Sequence, residues 1–537
     1  MFSQTFDIGA YQPALDAEQS GKASQQLAIQ DGENFFWNAR GVQSGFGEDL
    51  RSGVEQHGME HPGEFDIKNI KHFFFASGVY TVDEAGTWTQ VLAFNANATH
   101  PIYDLDVYEW SQAYVGTRYW FCHPLLNDLV YYDQFDDQWG VFRDTAWEGR
   151  LFGVTHADNR LVVLLEDVVT WSHFDRGDLF TLDWQCGSGV QTLGLIRYGQ
   201  PYAVMPYNNA WLTFTSKGIM SSVPDFSQTL DPDGRRIISG ALVYNHDEVA
   251  YENLPLGPVA ICHMDEKQVM WLSQSGFWQF APTQGGGAGG VQLYQPMMGR
   301  FYKETLIPYA SRAGALLDNF KLTWSGDLQW MFCSSRTNPA ESYSRAHILQ
   351  LVMDKWSVFV GEHKTVTSGR VDSEIGAQRV DMRFFGLLLP SSEYARIDLQ
   401  NNERESWIKF TPMRLQIPDQ PVTAETLSSV QGVRVGHSAP AWQAPVKAGL
   451  QSSFAAEEPK EHINSRFKLL VASADGADQP LIDEQEYGHL VHRNSKTSQY
   501  SLHCTGVDHS LFITAVDEIE SYDIRHVEID YFFAGIK

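Results

Sequence analysis

No stretch of this sequence approaches the roughly 20 consecutive apolar residues that a bilayer crossing requires. The opening MFSQTFDIGAYQ has neither a basic patch nor an apolar run. A membrane-spanning segment and a secretory leader are therefore not expected, and the chain is expected to be made and kept in a cytosol or assembled there. Cysteine is scarce. Cys122, Cys186, Cys262, Cys333 and Cys504 are odd in number and widely scattered in a chain too long to need staples, so they read as free thiols. Positive charge is short as well: 39 Lys and Arg against 66 Asp and Glu leave a net charge of −27. Such a chain gains no affinity for nucleic acid by counterion release, and its charge keeps it soluble. Helical periodicity is hard to find.

Aromatic residues are abundant, with 32 Phe, 22 Tyr and 16 Trp, while the hydrophobic fraction of 43% and the charged fraction of 20% are ordinary for a folded protein. A length of 537 residues exceeds what one hydrophobic core usually serves, which predicts about two or three domains. Strand signals dominate from Lys71 to Phe385 as short apolar and aromatic runs bounded by Asn, Asp, Gly or Ser. Three units, from Asp158, Asn208 and Glu266, share a grammar: a polar turn, an apolar strand, a second tight turn at Glu166-Asp167, Lys217-Gly218 or Ser275-Gly276, and another apolar strand. Hairpins recurring at this spacing predict the four-stranded blades of an irregular β-propeller, about five to seven of them, in a mainly β protein. A β-sandwich or solenoid is the competing reading.

Boundaries follow from composition. Residues 1–70, rich in Gly, Gln and Asp, read as an N-terminal arm or docking segment, and 71–385 as the propeller. Residues 386–465 read as a β segment and an extended linker, since Pro, Ala, Ser and Gln accumulate from Pro418 to Ile463. Residues 466–537 alternate as a small antiparallel β module.

Candidate chemistry is thin. The doublets Cys122-His123, Cys262-His263 and His503-Cys504 carry zinc-ligand atoms, but adjacent residues of a strand point to opposite faces and cannot easily share one ion. Asp231-Pro232-Asp233-Gly234-Arg235-Arg236 begins like a calcium loop, yet Arg235 and Leu242 stand where oxygen ligands are needed, so it reads as a solvated turn. The glycine run Gly285 to Gly290 lacks the lysine of a phosphate loop. No nucleophile elbow, zinc-helix motif or clear nucleophile and base pairing is present, and no catalytic residue, metal or cofactor is expected. Thr81-Val82-Asp83-Glu84-Ala85-Gly86-Thr87-Trp88 resembles the Asp-box of sialidase-like propellers, with its glycine displaced by one position. That box is a structural turn, so it favours a propeller more than hydrolysis. A carbohydrate-binding or glycosidase-like β-propeller is the alternative function.

The segments LIRYGQPYAVMPYNNAWLTFTSKGIMSS from Leu195 and DVVTWSHFDRGDLFTLDW from Asp167, with Trp171-Ser172 and Thr215-Ser216-Lys217-Gly218-Ile219 at their turns, give the chain a second resemblance. So do SGFGEDLRSG from Ser44 and the β-rich end from Ser501. The chain resembles the tail hub or nozzle (tail tube) proteins of short-tailed double-stranded DNA bacteriophages. The resemblance implies a non-enzymatic structural protein of the virion tail, assembled in the host cytoplasm. It implies a ring, usually a homo-hexamer, below the portal and adaptor, touching other tail proteins and passing double-stranded DNA transiently during ejection without binding it tightly. An acidic bore would repel the phosphates of passing DNA over about 8 to 10 Å, and the N-terminal arm and C-terminal module would make the ring contacts.

Overall fold

The computed structural model describes residues 1–11, 26–38, 41–52, 59–68, 70–83, 86–94, 99–181, 188–193, 195–225, 243–265, 268–281, 290–294, 301–306, 317–326, 328–336, 342–375, 378–399, 406–410, 426–438, 467–474, 483–487, 497–506, 508–515 and 523–536, with the single residues 308, 404 and 415. Alternating apolar residues and tight turns build antiparallel four-stranded sheets in which each strand pairs with the next. Blade one is Gly63–Ile67, Ile70–Phe75, Gly78–Val82 and Trp88–Ala93, and blade two is Ser111–Val115, Arg118–Cys122, Leu129–Asp133 and Gln138–Phe142. Blade three is Leu151–Ala157, Arg160–Leu165, Val168–Trp171 and Gly189–Thr192. Blade four is Pro201–Tyr207, Ala210–Thr215, Ile219–Asp225 and Val243–Ala250, and blade five is Ile261–Asp265, Gln268–Ser273, Gly276–Ala281 and Gly290–Tyr294. Blade six is Phe320–Ser325, Trp330–Ser335, Tyr343–Gln350 and Lys355–His363, whose last strand also pairs with Phe35–Asn38, so that these four strands are continuous with a larger sheet.

The turns explain the register. Asp158 and Asn159, at φ 47° and 53°, and Asn208 and Asn209, at 47° and 61°, place two consecutive residues in the left-handed region, as a two-residue hairpin matched to strand twist demands. The second strands Arg160–Leu165, Ala210–Thr215 and Trp330–Ser335 are buried along their whole length because neighbouring blades cover both faces.

Blade seven is assembled from distant parts of the chain. Thr365–Ile375, Gln378–Leu388 and Tyr394–Asp398 supply three strands, and Gly47–Arg51 pairs antiparallel with Tyr394–Asp398 as the fourth. Aromatic contacts then run round the ring: Phe74 on Phe121 at 4.5 Å, Trp171 on Trp211 at 5.6 Å, Tyr207 on Phe280 at 4.7 Å, Phe277 on Trp356 at 5.3 Å, Phe359 on Phe385 at 5.6 Å and Phe73 on Tyr394 at 5.2 Å. Blades two and three are joined by Trp120, Cys122, Leu151, Val154 and Val163 in one cluster. Each fully buried side chain of this size contributes roughly 1.5 to 3 kcal/mol. The protein is mainly β, and its larger part is an irregular β-propeller with seven blades among the described residues.

The chain ends form the other part together. Phe2–Tyr11 pairs antiparallel with Asp523–Ile536, Phe2 opposite Tyr531 and Asp7 opposite His526, and parallel with Gln26–Glu33. Gln26–Glu33 continues to Trp407–Phe410, then to Asp508–Ala515, Phe467–Ala474 and Asp483–Tyr487. On the other side Asp523–Ile536 pairs with Thr426–Ser438, which pairs with Thr497–Gly506. Strand Asp483–Tyr487 comes back alongside Thr497–Gly506, so the sheet curls on itself. Phe6, Ile29, Ile408, Phe410, Val433, Ile513 and Val527 fill it, in one continuous cluster with Phe320, Leu322 and Trp356 of blade six.

Three sequence boundaries therefore change. Residues 1–70 are not a free arm: they give this terminal sheet two strands, give blade seven its fourth, and contribute the hairpin Phe35–Asn38 and Gly41–Ser44 wedged between blade six and Asp523–Ile536. The propeller starts at Gly63 and ends at Asp398. The stretch read as linker contains the 13-residue strand Thr426–Ser438, whose small and polar composition hides the alternation that buries Val430 and Val433.

Candidate functional site

The first strands of blades two to seven touch one another in ring order, and a cluster of buried charge lies at their entry. Lys321, on the first strand of blade six, is wholly buried, and its Nζ lies 2.8 Å from Oε1 of Glu109, which immediately precedes blade two. Those blades are three apart in a ring of seven, so this ion pair spans the axis. The approach is one of opposite charges rather than a well-aligned hydrogen bond. Beside it, Asp318 is buried between His61, whose Nε2 is 3.0 Å from Oδ2, and Arg336, which grips Oδ1. Tyr343 donates its hydroxyl to the Asp318 carbonyl at 2.6 Å and lies under the Arg336 guanidinium, 5.6 Å from its ring centre.

These contacts set the ionisation of the cluster. Burial alone would raise the Asp318 carboxyl, but the His61 hydrogen bond and the charges of His61 and Arg336 outweigh it and hold it below the usual range. Burial lowers His61 despite Asp318, and drives the Tyr343 phenol well up.

Between the blades lies a cavity of 590 Å³ bounded by Glu64, Asp66, Gln112, Tyr114, Thr155, Met205, His263 and Thr323 together with apolar neighbours. It falls in the range of about 300 to 1,000 Å³ typical of small-ligand sites. Its carboxylates are partly neutralised: Lys71 pairs with Glu64 and stands 3.6 Å from Asp66.

Of the Cys-His doublets singled out from sequence, Cys122-His123 is the most fully described. His123 offers Nε2 to the Tyr108 carbonyl at 3.1 Å and accepts the Leu125 amide on Nδ1 at 3.1 Å, while the Cys122 thiol is buried elsewhere and pushed up by desolvation. Cys262 is buried and His263 reaches the cavity wall. His503 and Cys504 sit in the strand Thr497–Gly506 with their side chains outside the described residues, as are Cys186, Asp231 to Arg236, Leu242 and Gly285 to Gly289. Among the described residues no three His, Cys, Asp or Glu side chains group as a metal site. Nor is any helix there long and apolar enough to cross a membrane.

The Asp-box segment is a turn: Asp83 Oδ1 accepts the Thr87 amide at 2.8 Å, Gly86 at φ 78° donates to the Asp83 carbonyl, and Trp88 packs on Phe73 at 5.1 Å. Glu84 and Ala85 lie outside the described residues. Thr215 Oγ1 accepts the Gly218 amide at 3.0 Å, and Ser273 Oγ accepts that of Ser275 at 3.0 Å, so both close the tight turn after a blade's second strand. Ser172 Oγ accepts the Leu161 amide at 2.9 Å, and Trp171 lies against Trp211. Sequence reasoning missed Lys321, Glu109, Asp318, His61 and Arg336. The one local signal was a lysine at a buried position in the run Phe320-Lys321-Leu322.

No family model matches this chain, and no curated protein matches it. Among solved structures it is similar to the β-propeller domain of Cps50 (Swd1) from Myceliophteria thermophila and to YCF48 from Cyanidioschyzon merolae. Each has a TM-score of 0.36 and 10% identity, over 65% of this chain and 99% of the other. At that level neither carries an argument about function, and the propeller assignment here rests on strand pairing and ring contacts.

Proposed function

We propose that this chain is a non-enzymatic structural protein of a virion tail, a hub or nozzle subunit that forms a ring-shaped conduit for genome ejection below a portal and adaptor. The observation that carries the reading is the set of buried ion pairs that ties the blades to one another. Lys321 is committed to Glu109 and Asp318 to His61 and Arg336, so these buried charges hold the blades together. A propeller locked in this way is a rigid block, joined to the terminal sheet through one core.

A conduit would then run between subunits and not through the blades. With a net charge of −27, a lumen formed by several copies would repel DNA phosphates and let the duplex slide. A closed ring requires two different patches per subunit, one for each neighbour. The test is negative-stain electron microscopy with light scattering at high protein concentration, alone and with a portal–adaptor complex. Rings with an open centre are expected. A particle that remains monomeric in both conditions, or rings whose bore is lined by basic residues, would reject the conduit.

A further inference from the structure

Three carboxylates, Glu64, Asp66 and Glu109, line the 590 Å³ cavity, and among the described residues no lysine or arginine does. The cations that face these acids, Lys71 and Lys321, stand behind the wall, with side chains 17% and 0% exposed. Lys321 is taken by Glu109 and Lys71 by Glu64. Asp66 is held only loosely, 3.6 Å from Lys71, and its side chain is 48% exposed, so one negative charge stays open to the cavity. Tyr114 stands at the same end. It is the penultimate residue of blade two's first strand, as Asp66 is of blade one's, and both strand ends meet one turn of blade two. There Tyr114 donates its hydroxyl to Gln134 Oε1 at 3.3 Å, and Lys68, two residues past Asp66, pairs with Asp137 at 3.1 Å. Tyr119 packs on the Tyr114 ring at 4.8 Å, which leaves that ring fixed yet 45% exposed. An aromatic face beside an open carboxylate attracts an organic cation, through the ring quadrupole and through charge.

The shape narrows the class further. Glu109 lies at the other end of the cavity, five residues before Tyr114, which is roughly 17 Å along an extended chain. Its side chain keeps 29% exposure beside Lys321. A volume of 590 Å³ drawn out over that length suits a slender chain, and the acids at its two ends suit one with positive charge at both of its own. A bare divalent ion would find no group of three His, Cys, Asp or Glu ligands among the described residues. An anionic ligand would meet carboxylates alone, and a neutral one would gain no ion pair from Asp66. We infer that the cavity binds a linear polyamine, with one ammonium between Asp66 and the Tyr114 ring and another at Glu109.

The test is calorimetric titration of the full chain with spermidine at physiological salt, which screens the diffuse attraction of a chain with net charge −27. One saturable site is expected. Asp66→Asn and Tyr114→Ala should each weaken binding at least about tenfold. Tyr114→Phe, which keeps the ring, should retain it, and Asp247→Asn, an exposed carboxylate on the outer strand of blade four, should leave it unchanged. Putrescine, too short to span both ends, should bind more weakly than spermidine. Absence of a saturable site, many weak sites that vanish with added salt, equal affinity for magnesium ion or for a neutral glycol ether of the same length, or indifference to Asp66→Asn would each overturn the inference. Ring formation is scored separately by microscopy, so failure here leaves the conduit reading standing and the reverse also holds.

Discussion

The rings of Phe73 and Tyr394 meet with centroids 5.2 Å apart, and that contact seals the first blade of the propeller against the last. Around it Leu388, Phe75 and Tyr80 complete a small buried cluster, and Tyr394 is further clasped by Ser52, whose amide donates to the Tyr394 carbonyl at 2.9 Å while its hydroxyl accepts the Tyr394 amide at 2.7 Å. The seam of the ring is thus held by side chains from three distant parts of the sequence.

Replacing Tyr394 with Ala should open a cavity at the seam and cost about 3 kcal/mol, in the range for truncating a buried aromatic. Tyr394→Phe should cost much less. Equilibrium unfolding in denaturant measures both, and equal loss in the two variants would show that the hydroxyl, not the ring, holds the seam.

Deleting residues 1–51 should abolish folding, not merely assembly, because it removes the fourth strand of blade seven and two strands of the terminal sheet. Size-exclusion chromatography with circular dichroism would show aggregated or unfolded chain. A folded monomer from this truncation would contradict the strand pairing.

The axial ion pair should respond unequally to its two removals. Glu109→Ala strands a fully buried ammonium and should cost about 3 kcal/mol, whereas Lys321→Met leaves a carboxylate that reaches water and should cost about 1 kcal/mol. Thermal and denaturant midpoints of the two variants give the order, and a reversed order would mean that Glu109 is the more isolated group.

Stability should fall on acidification. His123 and His347 are depressed to about 3, and His363 and His509 to about 4, all chiefly by burial, with Arg345 adding to the effect at His347 and Lys321 and Arg404 at His363. The unfolded chain takes up protons near the ordinary value of 6.5 while the folded chain does not. Their contribution is therefore full above pH 6.5 and is lost progressively as pH falls toward 3 to 4. Melting scans from pH 7.5 to 4.5 should show a declining midpoint, and His123→Gln should make the slope shallower.

The blades that were plain in the sequence are those made of one continuous stretch. The hairpins around Glu166-Asp167, Lys217-Gly218 and Ser275-Gly276 are local, and their turn chemistry could be read directly. Blade seven could not be read this way, because Gly47–Arg51 pairs with Tyr394–Asp398 and no local pattern reports a partner so far along the chain. The same limit hid the pairing of Phe2–Tyr11 with Asp523–Ile536, which turns an apparent arm into the middle of a sheet. His123 stands just past the end of its strand, and the Tyr108 carbonyl and Leu125 amide that engage its ring come from neighbouring loops that no local pattern announces. The axial charges were hidden too, since Glu109, Asp318 and Lys321 gain meaning only when blades two and six face one another.

Building blade seven from both sides of the propeller also fixes an order of events during synthesis. Strand Gly47–Arg51 leaves the ribosome before any of the six blades that follow it, yet its partner Tyr394–Asp398 comes after all of them. At ordinary translation speeds the early strand waits on the order of tens of seconds with an open edge. The nascent chain must therefore complete its blades in sequence with the circle still unfastened. Its latch is the last piece of the circle to arrive, so release from the ribosome before Asp398 would yield an open, sticky arc instead of a smaller propeller.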